Sequence, residues 1–358
     1  MTRRVAAWGA LVVVFGVAAA ACTGGDETPD HDAEPLAEVV TLLTHDSFDV
    51  SASVVQAFER DRGIDLRIVA GGDAGQLVNR AILTAGNPEG DVLFGLDDNL
   101  LPKAVAASVF EPYESPALSR VDDAFELDRS HSVTPIDHGD VCLNVDLGWF
   151  AERGLAPPGG LGEIVAPAYR GLTVVENPAT STPGLAFMLA TIARFGEPGW
   201  QAFWQDLRAN DVLVVDGWEQ AYFGEFSGAA GGEGDRPIVV SYATSPVAEV
   251  VLAEEPLDEA PTEAITDSCY RQVEFAGVLA GTEHPEEARR VIDFLLSVPF
   301  QEDVPLRMFV FPVADDVELP EEFVRWAEEP AAPLALPPER VAAEGEGWVR
   351  AWTDLMFG

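Results

Sequence analysis

Residues 39–48 read Val39-Val40-Thr41-Leu42-Leu43-Thr44-His45-Asp46-Ser47-Phe48, and this stretch carries the pattern that decides the fold. Its first six residues are apolar or β-branched, which predicts a short buried strand that ends at a polar turn. A predicted helix follows through residues 54–58, and the order of strand, turn and helix recurs at 66–84 and again from residue 91. Strands that alternate with helices predict an α/β fold with a mostly parallel sheet and right-handed crossovers.

A second set of alternating segments begins near Asp140. Its predicted strands and helices lie at 172–175, 185–194, 212–215, 238–242, 271–279 and 285–296, and the tail from Glu321 is expected to be helical with breaks at prolines. We therefore expect two α/β lobes whose loop ends face each other across a ligand cleft. The expected division is 39–138 for the first part of lobe 1, 139–268 for lobe 2, and 269–358 for the return to lobe 1 and the C-terminal helices.

Polar side chains follow three predicted strands of the first lobe at the point where each strand ends. Ligands of open α/β sheets bind outside the carboxyl ends of the strands, so we expect these side chains to share one crevice. They are His45, Asp46, Ser47, Asp73, Asp97 and Asp98.

Two segments of the second lobe suit a charged or flat ligand. Ser181 and Thr182 precede Pro183 at the start of a predicted helix, where free N–H groups bind an anion or where the hydroxyls simply cap the helix. Trp218 and Tyr222 are four residues apart and share a helix face, which stacks on a flat ligand or packs into the core. The sequence leaves both pairs of alternatives open.

The acidic balance of the chain limits its partners. There are 61 Asp and Glu against 21 Lys and Arg, for a formal charge of −40. Nucleic acid is excluded as a partner, because phosphate binding requires clustered basic residues. Cations would be attracted, although a solvated surface explains most of the carboxylates. No motif indicates a metal site, a cofactor or a catalytic residue: the five histidines are scattered, and neither a P-loop nor a Gly-x-Ser-x-Gly elbow occurs.

The first residues predict export. Arg3 and Arg4 precede an apolar run at 5–21 that ends in small residues and Cys22, which is the layout of a secretory signal. We expect residues 1–21 to be a lipoprotein signal peptide and Cys22 to be lipidated. Residues 22–38 would form an acidic flexible tether on the outer face of the cell membrane. The alternative is a retained transmembrane anchor, for which the run is slightly short of the ~20 residues that cross a bilayer.

Cys142 and Cys269 are the two cysteines beyond Cys22. An even pair in an exported domain predicts a disulfide. Two buried free thiols are the alternative. A catalytic thiol is a third interpretation, which the strand-like Val141-Cys142-Leu143 disfavours because it predicts burial.

Short runs of sequence, in a fixed order from about Val39 to the C-terminal end, carry a family resemblance. They are Thr44-His45-Asp46-Ser47-Phe48, Val69-Ala70 through Asp73 to Leu77-Val78-Asn79-Arg80, Gly95-Leu96-Asp97-Asp98-Asn99-Leu100-Leu101, Thr180-Ser181-Thr182-Pro183-Gly184-Leu185, Gly217-Trp218-Glu219-Gln220-Ala221-Tyr222, Ser241-Tyr242-Ala243-Thr244-Ser245-Pro246, Tyr270-Arg271-Gln272-Val273-Glu274 and Phe311-Pro312-Val313. The ordered sum of these runs resembles the thiamine-binding solute receptors of ABC importers.

The resemblance implies a type II periplasmic-binding-protein fold, in which two lobes joined by two crossing strands close over thiamine or its phosphates. It implies that Ser181 and Thr182 meet the hydroxyethyl or phosphate end of the ligand. The aromatic walls would come from Trp218, Tyr222 and Tyr242, and polar contacts from Asp46, Ser47, Asp97, Thr244 and Ser245. His45 stands where relatives carry Tyr, and Phe309 where they carry Trp. Both keep a flat ring, so we expect both in the site, against a thiazolium cation that suits aromatic faces and carboxylates.

The implied function is capture without chemistry. A monomeric solute-binding protein would deliver thiamine or a thiamine phosphate to an ABC permease and its ATPase. The nearest alternative is a receptor of the same fold for another cationic solute, a polyamine or a ferric ion; five tyrosines with no adjacent pair disfavour the ferric ion. A thiamine-degrading enzyme is the alternative of a different class, and it requires Cys142 or Cys269 to be an exposed thiolate with a nearby base.

Overall fold

The computed structural model describes residues 38–358. The predicted signal peptide, the lipidation site Cys22 and the tether up to residue 37 lie outside the described residues. No helix within residues 38–358 combines the length and the apolar character that crossing a membrane requires.

The strands alternate with helices in the order that the sequence predicts. The strands are β1 (Glu38–Thr44), β2 (Ile64–Ala70), β3 (Val92–Asp97), β4 (Phe110–Glu111), β5 (Thr134–Asp146), β6 (Thr173–Glu176), β7 (Leu213–Val215), β8 (Ile238–Tyr242), β9 (Thr262–Leu279) and β10 (Phe311–Pro312). The helices are α1 (Ala52–Arg62), α2 (Ala74–Leu83), α3 (Leu101–Ala106), α4 (Leu147–Arg153), α5 (Thr182–Phe195), α6 (Gly199–Ala209), α7 (Ser245–Val251), α8 (Pro285–Leu295), α9 (Val298–Arg307), α10 (Glu321–Trp326) and α11 (Pro338–Phe357).

The strands form one continuous sheet in the order β2-β1-β3-β9-β5-β8-β6-β7, with β4 beside β9 and β10 beside β5. Strand β1 pairs in parallel with β2 and β3, and β6 pairs in parallel with β7 and β8. Strands β5 and β9 are antiparallel to their neighbours in the middle of the sheet. The prediction of a mostly parallel sheet is therefore right for each outer part and wrong for the centre.

Two long strands join the two halves of the sheet. Strand β5 has 13 residues and β9 has 18, and they pair with each other from Thr134–Ala276 to Asp146–Thr262. Strand β9 also pairs with β3, and β5 also pairs with β8. The sequence predicted only the second half of β9. Its first half reads Thr-Glu-Ala-Ile-Thr-Asp-Ser-Cys-Tyr, where acidic and hydroxyl side chains weaken the strand pattern.

Separate apolar cores support the two lobes. In the first lobe, β1 and β3 are buried against α1, α8 and α9 on one side and against α2 and α3 on the other. In the second lobe, α5 is buried along nearly its whole length because the sheet, α6 and α11 surround it. Trp352 of α11 packs edge-on against Trp204 of α6, with ring centroids 5.3 Å apart. The C-terminal helix α11 thus packs on the second lobe.

Candidate functional site

A cavity of about 460 Å³ lies between the two lobes at the ends of the strands. Its size falls within the range of small-molecule sites, ~300–1,000 Å³. Most of the site residues predicted from the sequence line this cavity. They are His45, Asp46, Ser47, Asp73, Thr182, Trp218, Tyr222, Tyr242, Ser245 and Phe309.

The turn after β1 contributes the first part of the lining. The Asp46 carboxylate accepts a hydrogen bond from the N–H of Gly72 at 2.9 Å, which ties this turn to the turn after β2. His45 Nδ1 lies 2.9 Å from the Ser47 hydroxyl, and its Nε2 lies 3.6 Å from the carboxylate of Glu274 on β9. These two contacts connect the turn after β1 with the crossing strand β9, and all three side chains line the cavity.

The charge of His45 depends on the carboxylates around it. Burial lowers the pKa of the imidazole, but the carboxylates of Glu274, Asp73 and Asp46 outweigh that effect and the net pKa is raised above 6.5. Behind Glu274, burial and the Glu274 carboxylate raise the pKa of Asp137 well above its ordinary value. His45 therefore gains a proton more readily than an isolated histidine does.

Asp73 bridges the two lobes. It caps the N-terminus of α2 in the first lobe. One carboxylate oxygen also accepts the N–H of Thr182 at 3.2 Å, and the other accepts the N–H of Trp218 at 3.0 Å. Beside it, a Cβ built on Gly75 would lie 2.6 Å from the carbonyl oxygen of Thr180. Only glycine permits this close approach of α2 to the second lobe.

An aromatic pair forms the wall of the second lobe. Trp218 stacks on Tyr222, with ring centroids 5.1 Å apart and planes inclined by 17°. The Trp218 Nε1–H donates to the Ser241 hydroxyl at 2.9 Å. Tyr222 is 1% exposed, and its hydroxyl donates to the buried carboxylate of Glu249 at 2.7 Å. Trp218 is therefore the ring available to a ligand, and Tyr222 supports it from behind. The pair lies at the start of a π-helical turn, Gln220–Glu225, a conformation frequent at functional sites.

Tyr242, Ser245 and Phe309 complete the lining. The Tyr242 hydroxyl donates to the Gln272 side chain at 3.1 Å. The Ser245 hydroxyl accepts the Tyr242 N–H at 3.1 Å, which fixes the turn into α7. Phe309 has a φ of 54°, in the left-handed region that bulky residues rarely adopt. Such strained residues cluster at ligand sites, where the surrounding structure holds them in place.

Asp97 and Asp98 do not line the cavity, contrary to the prediction from their strand-end positions. Strand β9 pairs with β3 and places Glu274 opposite Asp97. The Asp97 carboxylate instead accepts hydrogen bonds from the Gln272 side chain at 3.1 Å and from the Leu100 N–H at 2.9 Å, at the start of α3. Burial raises its pKa to about 6. Asp98 accepts the N–H of Val273 on β9 at 3.1 Å.

Ser181 and Thr244 also lie outside the cavity lining, because backbone groups use their hydroxyls. Ser181 is 1% exposed and accepts the N–H of Gly184 at 3.4 Å as the N-cap of α5. Thr244 is 1% exposed and donates to the carbonyl of Phe309. The capping interpretation is therefore the one that the structure supports for Ser181.

Two acidic residues that make the cavity lining negative were not predicted as site residues from the sequence. Glu219 and Glu274 line it together with Asp46 and Asp73, and the lining arginine, Arg307, is paired with Asp49. Glu219 and Glu274 occur in the runs that carried the family resemblance, and this was the signal that pointed to them. The lining is predominantly negative, which suits a cationic ligand.

A thiol nucleophile does not reach this cavity. Cys142 and Cys269 are joined by a disulfide with Cα atoms 4.2 Å apart, and both are fully buried on the crossing strands. Across residues 38–358, no group of His, Cys, Asp and Glu side chains has an arrangement that would hold a metal ion.

Comparison with known proteins gives consistent results. A family model described as "Bacterial extracellular solute-binding protein" matches residues 87–332. The chain is 33% identical over 322 residues to a thiamine-binding periplasmic protein of Salmonella typhimurium (strain LT2), covering 88% of this chain and 92% of that protein.

Solved structures share the fold. A periplasmic thiamin binding protein aligns with a TM-score of 0.78 and 30% identity over 89% of this chain and 96% of its own. The iron-bound HitA of Pseudomonas aeruginosa aligns with a TM-score of 0.67 and 19% identity, over 88% and 99% of the two chains, which shows the fold alone. The two-lobed periplasmic-binding-protein fold that the sequence predicts is confirmed.

Proposed function

The chain belongs to the family of bacterial extracellular solute-binding proteins, and we propose that it captures thiamine between its lobes and delivers it to an ABC importer. The observation that carries the proposal is the combination, in one cavity, of the Trp218 ring with a predominantly acidic lining. Thiamine offers a flat thiazolium cation to the ring and an aminopyrimidine with donors and acceptors for polar side chains.

Capture requires contacts from both lobes. Asp46, Ser47 and His45 approach from the first lobe, and Trp218 and Tyr242 line the cavity beside them. A ligand that touches both lobes favours the closed form over the open one, because only the closed form makes the full set of contacts. No covalent step is involved, and the closed complex is the species that the permease and its ATPase recognise.

The place of action is outside the cytoplasm, as for the family as a whole. We further propose that residues 1–21 are removed and that a lipid on Cys22 holds the monomeric protein at the membrane. Metabolic labelling with a radioactive fatty acid tests this step. Label in the wild-type protein and its loss in Cys22→Ala are expected, and equal label in both would contradict it.

Isothermal titration calorimetry tests the ligand. The purified protein is titrated with thiamine, with spermidine and with ferric citrate in parallel. Saturable one-to-one binding of thiamine at micromolar or tighter affinity, with unchanged thiamine recovered afterwards, is expected. Stronger binding of spermidine or ferric citrate than of thiamine would replace the proposed ligand, and a recovered cleavage product would replace the receptor with an enzyme.

A further inference from the structure

A pair of carboxyl groups lies beside the cavity on the two crossing strands. Asp137 of β5 and Glu274 of β9 are opposite each other in the antiparallel pairing, so their side chains project from the same face of the sheet. Glu274 lines the cavity, whereas Asp137 is 1% exposed and lies outside the lining. The two carboxyl groups are close enough to share a hydrogen bond. Asp137 therefore contacts Glu274 from the buried side.

The contact between the two groups requires a proton. Neither carboxyl oxygen of Asp137 receives a hydrogen bond from an N–H or O–H group of the described residues. Two carboxylates in contact repel each other, and a buried charge without a partner is costly. The proton lies on Asp137, because Glu274 has another partner: its Oε2 is 3.6 Å from His45 Nε2. Burial and the Glu274 carboxylate raise the pKa of Asp137 well above its ordinary value, in agreement with this assignment.

The groups that surround the pair from other elements bring no cation to Asp137. The turn after β1 contributes His45, which contacts Glu274 instead. Strand β10 places Pro312 opposite Asp137. The other titratable side chains that act on the pair carry no positive charge; they are Tyr242 of β8 and Asp97 of β3. Within the described residues, a proton and not a cation therefore neutralises the carboxyl group of Asp137.

We propose that Asp137 is a positioning residue: it donates a hydrogen bond to Glu274 and holds the Glu274 carboxylate toward the cavity, where this carboxylate meets the cationic ligand. A hydrogen bond from a neutral carboxyl group to a carboxylate is short and strong. It orders the acceptor before the ligand arrives, so that less ordering remains to be done on binding. The inference rests on the proposed function, since it takes thiamine, with its thiazolium cation and its amino group, as the ligand.

Calorimetry with thiamine tests the proposal on three variants. Asp137→Asn keeps an N–H donor toward Glu274 and is expected to bind thiamine within about twofold of the wild type. Asp137→Ala removes the donor and is expected to bind thiamine about tenfold more weakly. Asp91→Ala is the matched control. Asp91 is buried at the opposite end of β3, where it accepts the Thr41 N–H at 2.7 Å, and its loss should leave the affinity within about twofold.

A double-mutant cycle separates positioning of Glu274 from a general loss of structure. In a Glu274→Ala protein, Asp137 has no carboxylate to orient. Adding Asp137→Ala to that protein is therefore expected to change its affinity for thiamine by less than about twofold. A loss of about tenfold in both backgrounds would show that Asp137 supports the fold and not Glu274, which would overturn the proposal.

The pH dependence of stability reports the proton on Asp137 directly. Because the pKa of Asp137 is raised in the folded protein, the wild type loses stability as the pH rises from about 4 toward that raised value. Asp137→Asn has no proton to lose, and all other titrating groups are common to the two proteins. The melting temperature of Asp137→Asn minus that of the wild type is therefore expected to increase between about pH 5 and pH 8. A difference that stays constant over this range would overturn the protonated state.

The outcomes separate this proposal from the proposed function. Equal losses of affinity in Asp137→Asn and Asp137→Ala, or no loss in either, would overturn the positioning role while thiamine binding by the wild type stands. Failure of the wild type to bind thiamine would overturn the proposed function instead. Should Asp137→Ala fail to fold, the affinity of Asp137→Asn and the pH dependence of its melting temperature decide.

Discussion

Replacing Trp218 with alanine is the most informative change to the cavity. Trp218 has Tyr222 stacked behind it at 5.1 Å and its Nε1–H bound to Ser241 at 2.9 Å. These two contacts hold the ring in one orientation before any ligand arrives. The ring therefore presents a fixed face, and its removal takes away a preorganised surface without breaking a core strand.

The expected loss of binding free energy in Trp218→Ala is the sum of two contributions. Loss of a stacking partner for a flat ring costs about 0.5–1.5 kcal/mol. Loss of the ring quadrupole under a cation costs a further ~0.5–2 kcal/mol, depending on how well water is excluded. The sum, about 1–3 kcal/mol, corresponds to a dissociation constant roughly 5- to 150-fold weaker.

Calorimetry with thiamine measures this loss, and two variants control it. Trp218→Phe keeps a ring but loses the bond to Ser241, so we expect it to lose less than about 1 kcal/mol of affinity. Trp326→Ala removes a tryptophan that lies outside the cavity, and we expect an affinity equal to that of the wild type. A folded Trp218→Ala protein that binds thiamine within about twofold of the wild type would show that Trp218 does not contact the ligand.

Three further predictions concern protonation, lobe closure and the disulfide. Because the pKa of His45 is raised above 6.5, the protein should hold thiamine fully above that raised pKa and lose affinity as the pH falls through it, since a protonated imidazole repels a cation. Calorimetry across pH 5–8 should show a steeper loss in the wild type than in His45→Gln, where only carboxyl groups such as Asp73 and Glu219, whose pKa burial also raises, still titrate. Equal slopes in the two proteins would contradict the role of His45. Gly75→Ala should weaken thiamine binding at unchanged thermal stability, because the added Cβ meets the backbone of the other lobe. As a control, Gly347→Ala on α11 adds a Cβ with no neighbour closer than 4.0 Å and should bind thiamine normally. Normal binding by both variants would show that lobe closure does not need the close approach at Gly75. Replacing Cys142 and Cys269 with alanine should lower the free energy of unfolding by up to ~5 kcal/mol, because the disulfide spans 127 residues. An unchanged melting temperature, or alkylation of both cysteines without reductant, would contradict the presence of the disulfide.

Much of the cavity could be predicted from the sequence, because ligands of open α/β sheets bind outside the carboxyl ends of the strands and strand ends can be read from the local sequence pattern. His45, Asp46, Ser47 and Asp73 follow β1 and β2, parallel neighbours whose carboxyl ends meet at one edge of the sheet. The prediction that Asp97 lines the cavity was wrong, because β9 returns from the second lobe, pairs antiparallel with β3 and covers the carboxyl end of β3. A pairing between strands so distant in the sequence leaves no periodic signal in either of them.

Hydroxyl side chains were ambiguous for a different reason. Ser181 and Thr244 carry the right chemistry for a ligand contact, but each satisfies a backbone group instead. Helix caps and ligand contacts demand the same residue types, so composition cannot separate them. The bridging role of Asp73 also could not be predicted from the sequence, because it depends on how closely the two lobes approach each other.

A crystal structure of the protein grown with thiamine is the decisive test of whether this cavity captures thiamine. We expect one thiamine between the lobes, with its thiazolium ring in van der Waals contact with the face of Trp218. Thiamine bound elsewhere, or a cavity that stays empty at saturating thiamine, would contradict it.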